Sequence, residues 1–266
     1  MERLLIVILF TTTIHMVDTL SYSVRLAGIR TKRLAMAISL FNIIVLISRT
    51  ANMIQAPLLG SIVDKAINEG DFAFLLHDFR WIIFSATLGS LIGAALIPSF
   101  VVIFSKGILG LEKAGSIPQL IGMVIFQKPV AKIKKSLVKP GLSLLKGLKP
   151  EKIPPTFLVL NLIITSISTI GVLAAIYAGA LVPQYRITAS QLSGIINGAA
   201  TILLAVVVDP QAAIITDQTL QGLRQRQEAN TMVAFLVGGK ILGTLLSQVV
   251  FLWAAKTVVL ITKIIA

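Results

Sequence analysis

Apolar residues fill this chain in long unbroken runs, with polar residues gathered mostly between them. Six runs, at 3–24, 34–58, 81–105, 156–182, 188–208 and 231–262, reach the roughly 20 residues that a helix needs to cross a bilayer. A seventh, IPQLIGMVIF at 117–126, is too short to span and predicts an interfacial or re-entrant helix. The last span is long enough to tilt or to break at Gly238-Gly239, and Pro98 is expected to bend the third. The pattern predicts an all-α, polytopic integral membrane protein, a single membrane domain over residues 1–266 with a long loop at 106–155. The N-terminal run lacks a small-residue cleavage site before the next basic cluster and is read as a mature helix.

Small residues recur four apart at Gly89/Gly93, Gly194/Gly198 and Gly239/Gly243, and at Gly171, Ala175 and Gly179. That spacing lets helix backbones approach closely in lipid, within a compact bundle or across a homo-oligomer interface. Three spans on each side of the long loop would permit an inverted repeat, although no internal sequence match accompanies it.

Composition agrees with the pattern. Hydrophobic residues make up 56% and charged residues 13%, with a mean hydropathy of +0.91, where soluble domains carry about 25% charged residues. No sizeable water-soluble domain fits. The absence of cysteine excludes disulfides and thiolate metal sites, and two histidines, His15 and His77, argue against a histidine-rich metal centre. A formal charge of +13 could suggest nucleic acid, but the basic residues lie between apolar spans rather than on an aromatic-studded surface. Sixteen of the 24 Lys and Arg fall in the first, third and fifth loops, ten of them lysines within 106–155. The excess of basic residues in cytoplasmic loops then places both termini outside and the lysine-rich loop in the cytoplasm. Its mixture of lysine and apolar residues reads as amphipathic, drawn to anionic lipids by about 1 kcal/mol per basic residue.

Polar residues inside the spans carry the candidate chemistry. Arg49 interrupts LFNIIVLISRTANMIQAPLLG (40–60), and at helical spacing Ser39, Asn42, Arg49 and Asn52 share one face, with Gln55 close by. A mid-helix arginine costs about 2.5–3.5 kcal/mol on insertion scales, so this face is expected to turn into the protein. There Arg49 either pairs with Asp18 of the first span or meets an anion in a wet cavity. In the first span His15, Asp18, Tyr22 and Arg25 form one stripe, suited to helix pairing, charge balance or proton transfer. Lys240 lies in the last span beside Thr244 and Ser247. Two intramembrane cations against one spanning carboxylate favour an anionic cargo, unless Asp64 or Asp209 compensates from a helix end. No P-loop and no nucleophile elbow occurs, no catalytic constellation is evident, and no cofactor motif is found.

The stretches SYSVRLAGIRTKR (21–33) and FNIIVLISRTANMIQAPLLG (41–60) resemble the Amj family, the alternate lipid II flippases of bacteria. The resemblance implies a plasma-membrane protein that moves lipid II, the undecaprenyl-diphosphate-linked peptidoglycan precursor, from the inner to the outer leaflet. It implies no catalytic motif; a membrane enzyme acting on polyprenyl phosphates and a non-transporting cell-wall scaffold stand as the alternatives. Arg25, Arg30, Arg49, Asn52 and Gln55 lie within the matching stretches, and Arg and Lys are the side chains a diphosphate wants.

Overall fold

A computed structural model describes residues 2–126, 138 and 148–266. Six helical segments are long and apolar enough to cross a membrane. Three precede the lysine-rich loop: α1 (Glu2–Thr31), α2 (Leu34–Glu69) and α3 (Phe72–Ala114). The run at 117–126 forms the short helix α4 (Ile117–Phe126), again too short to span. After the loop come α5 (Pro155–Leu181), α6 (Arg186–Leu203), α7 (Asp209–Leu220) and α8 (Arg226–Ile265). Most of the amphipathic character expected at 106–155 falls on residues outside those described.

The helices overrun the apolar runs that announce them. The loop expected at 59–80 shrinks to Gly70 and Asp71, because α2 and α3 continue past the apolar core on polar turns. Gly70, at φ 70°, closes α2, and the Asp71 side chain accepts from the Phe74 amide to start α3. The last helix is unbroken at Gly238-Gly239. The fifth span is the interrupted one. A π-turn at Leu204–Val208 joins α6 to α7 just ahead of Pro210, which has no amide hydrogen to continue a regular ladder.

Each half lays its third helix across its first through paired glycines. A Cβ on Gly89 would strike the Thr12 carbonyl, and one on Gly93 would lie 2.8 Å from both the Met16 oxygen and the Thr19 side chain. In the second half, a Cβ on Gly243 would lie 2.8 Å from the Leu162 oxygen and the Thr165 side chain, while Gly239 abuts Asn161. The register is the same: a carbonyl, then a threonine three residues on. Three spans in each half reverse the chain's direction between them, which is the arrangement of an inverted repeat. Gly194 and Gly198, by contrast, meet nothing within 4 Å among the described residues.

The two halves join chiefly through α3 and α8. Phe79, Tyr177 and Phe251 stack in one aromatic cluster with centroids 5.5–6.0 Å apart. Beside it, the Arg80 guanidinium donates to the Gln248 carbonyl, and Gln248 Nε2 donates back to the Arg80 carbonyl at 2.8 Å. Arg80, expected in a loop, is thus a helix-to-helix clamp. The second helix of each half is peripheral: 17% of the spanning window is buried in α2 and in the α6–α7 segment, against 44% in α5.

Candidate functional site

The α1 stripe meets the rest of the bundle in two places. Near mid-helix, Lys240 Nζ of α8 donates to Asp18 Oδ2 at 3.2 Å, with Lys240 9% exposed and Asp18 33%. Ser48 of α2 lies beside the same carboxylate, and His15 lies within electrostatic reach of both charges. The Nδ1 atom of His15 is buried without a partner. Thr244 and Ser247 continue the α8 face below Lys240, Ser247 bonding the Ser166 carbonyl of α5 at 3.1 Å. One turn beyond Tyr22, the Arg25 guanidinium reaches Asp209 at 2.8 Å, just beyond the π-turn. Asp209 is therefore held where Pro210 forces the helix to change its winding.

The expectation for α2 is corrected. Its buried face is Ala37, Ser48, Ala51, Gln55, Leu59 and Val63, whereas Asn42, Arg49 and Asn52 are exposed and point away from α1. Small residues decide this: an added Cβ on Gly28 would lie 2.9 Å from Ala37, so α1 and α2 approach along their alanine and glycine side. Gln55 alone of the predicted α2 set turns inward, donating to the Thr11 hydroxyl at 2.9 Å. Arg49 neither pairs with Asp18 nor has any other bonded partner among the described residues. Arg30, at the end of α1, is exposed as well.

The predicted residues thus form two groups. His15, Asp18 and Lys240 make a partly buried ionisable centre at the seam between the halves, with Ser48, which sequence reasoning did not single out, beside it. Asn42, Arg49 and Asn52 make an outward polar stripe on a peripheral, otherwise apolar helix. The surplus of positive charge is narrower than expected, since Asp18 matches Lys240, Asp209 matches Arg25 and Asp64 matches Arg186 at 2.6 Å. Arg49 remains. It is exposed on the outer face of α2 and has no bonded partner among the described residues.

The profile of the Amj family, described as Alternate to MurJ, matches residues 10–262. The Lipid II flippase Amj of Bacillus subtilis (strain 168) is 38% identical over 262 residues, covering 98% of this chain and 97% of that protein. No solved structure matches. With the profile and a full-length relative agreeing across both halves and all six spans, the chain belongs to the Amj family.

Proposed function

We propose that this protein flips lipid II from the inner to the outer leaflet of the bacterial plasma membrane, without catalysis. The observation that carries the reading is the full-length likeness to a lipid II flippase. The geometry is the support for the following route. Asn42, Arg49 and Asn52 on the outer face of α2 contact the headgroup, Arg49 taking the diphosphate, while the polyprenyl tail stays in lipid. Lys240 assists midway when Asp18 yields it, and Arg25 and Arg30 draw the headgroup in from the cytoplasmic side. Asp18 balances charge at the centre. His15, with an unpartnered ring nitrogen, is placed to exchange a proton there. Gln55, committed to Thr11, holds α2 in place.

The orientation that fits puts both termini outside and 106–155 in the cytoplasm against anionic lipids. The deciding experiment supplies this protein as the sole lipid II flippase of a cell and follows lipid II to the outer leaflet. Survival with normal outward delivery supports the reading; accumulation of lipid II inside overturns it.

A further inference from the structure

We infer that the junction of α1, α3 and α8 is a docking pocket for the phosphate groups of a diphosphate lipid, built on Arg30 and Arg226. The identity of the lipid rests on the flippase reading; the pocket itself does not.

Five arginines lie in or beside the turns that join α1 to α2 and α7 to α8. Three are matched: Arg25 with Asp209 at 2.8 Å, Arg33 with Glu112 at 2.6 Å and Arg224 with Glu228 at 2.8 Å. Arg30 and Arg226 are the exceptions, with no ion pair or hydrogen bond among the described residues. Both exceptions line the same cavity, of about 240 Å³, together with the Asn230 amide. The rest of its wall is apolar, including Leu26, Ile29 and Val101. Two unspent guanidinium forks and an amide facing one hollow are donors for an oxyanion with several oxygens.

Size and depth narrow the ligand. Pockets for whole drug-sized ligands run from about 300 Å³ upward, so this one suits the phosphates of a headgroup rather than its sugars. It lies at the last turn of α1 and the first turn of α8, where spans meet the headgroup layer and lipid phosphates sit. The apolar wall suits the first carbons of an attached chain. Two residues of the lysine-rich segment, Val138 and Lys149, bond to the chain neighbours of the lining residues Pro98 and Asn230. Ser99 Oγ accepts from the Val138 amide at 2.9 Å and donates to its carbonyl at 3.0 Å. Lys149 donates its amide to Thr231 at 3.0 Å and its ammonium to Gln225 at 2.7 Å. The Lys149 ammonium adds positive charge beside the cavity, which favours anions there.

The test is calorimetric binding of farnesyl diphosphate to the purified full-length protein in nanodiscs of zwitterionic lipid. Arg30→Ala and Arg226→Ala should each weaken binding about tenfold, the scale of a lost charge-assisted bond, and the double variant further. Arg→Lys at either position should recover part of the loss, since the charge returns without the fork. Lys32→Ala removes an exposed basic residue of the same turn that does not line the cavity, and should stay within about twofold. Both arginines are exposed, and a melting curve for each variant shows that the bundle persists; glutamine replacements serve if alanine lowers it. Unchanged affinity in the double variant overturns the pocket, as does an equal loss in Lys32→Ala. Loss of binding in discs containing phosphatidylglycerol also overturns it, because the site would then serve bulk anionic lipid. A parallel lipid II flipping assay on the wild type separates the two readings. Binding through Arg30 and Arg226 without flipping sinks the flippase and keeps the pocket; flipping with arginine-independent binding does the reverse.

Discussion

The pair between Asp18 and Lys240 allows a quantitative test of what the centre is for. At 3.2 Å the gross attraction is about 5 kcal/mol at an effective dielectric constant of ~20. Taking both groups out of water costs several kcal/mol each, so the pair as a whole is close to neutral against well-packed uncharged residues. Breaking it is a different matter, costing about 3–5 kcal/mol when one charge is left orphaned. An orphan can neutralise itself, at about 4.6 kcal/mol for an ordinary lysine at pH 7 and about 4.2 kcal/mol for an ordinary aspartate, which caps the loss. Asp18 is a third exposed and Lys240 hardly at all. Lys240→Met, which strands the better-solvated partner, should therefore cost less than Asp18→Asn. The double variant Asp18→Asn/Lys240→Met should recover most of the lost stability.

Melting of the purified protein, followed by the fraction that stays monodisperse on size exclusion after heating, reads all four members of the cycle. The expected order is wild type, then double variant, then Lys240→Met, then Asp18→Asn. Costs that simply add in the double variant would refute the reasoning, because the two groups would then not act as a unit. Flipping by the same four proteins separates cargo handling from packing. If the charges work on the cargo, the double variant folds and still fails to flip; if it flips at the wild-type rate, the pair is only a clamp.

Three further outcomes follow from the geometry. Arg49→Ala should insert and melt like the wild type, since no described residue bonds its guanidinium, yet lose lipid II flipping in proteoliposomes; wild-type flipping would remove Arg49 from the route. Gly243→Ala should destabilise by about 1–3 kcal/mol through overpacking against Leu162 and Thr165, whereas Gly198→Ala, with open space around it, should be tolerated on the same melting assay. Because the chain has no cysteine, single-cysteine labelling has no background: Asn68→Cys should react with an impermeant maleimide in intact cells and Leu223→Cys only after permeabilisation, and the opposite result would invert the topology.

Hydropathy made the six spans legible because lipid and protein interior reward the same side chains, so a spanning helix is apolar whichever way it faces. That equivalence also hid the direction of Arg49. In a soluble helix the polar face is the outer one, and in a membrane helix a charged face is expected inside; on α2 the packing of Gly28 on Ala37 outweighed the charge and left Arg49 outward. The α1 stripe was readable as a stripe, but its partners lay on helices nearly 200 residues or more away, in Asp209 and Lys240, which no local spacing connects to Asp18 or Arg25. Glycine spacing marked true contacts at Gly89/Gly93 and Gly239/Gly243 and an unpacked face at Gly194/Gly198, because the motif records a capacity for approach and not a partner.

The matching register of the halves makes the centre more informative than a lone ion pair. Met16 in α1 corresponds to Leu162 in α5 through their contacts with Gly93 and Gly243. By that register His15 corresponds to Asn161, Asp18 to Ile164, and Lys240 to Ser90 of α3. Asn161 donates its Nδ2 to the Leu236 carbonyl at 3.1 Å, while its Oδ1, like His15 Nδ1, is buried without a partner among the described residues. The scaffold is thus repeated and the ionisable chemistry is not. Each half supplies one member of the central pair, so relative movement of the halves must stretch the Asp18–Lys240 contact. An anion passing the seam would offer Lys240 a replacement for Asp18, and the freed carboxylate would sit beside His15. If the centre couples cargo to movement in this way, crosslinking α3 to α8 across the seam by a cysteine pair should stop flipping in every background, while the Asp18→Asn/Lys240→Met protein should fail even uncrosslinked. Flipping by the crosslinked wild type would show that the halves need not part, and would confine the route to the outer face of α2.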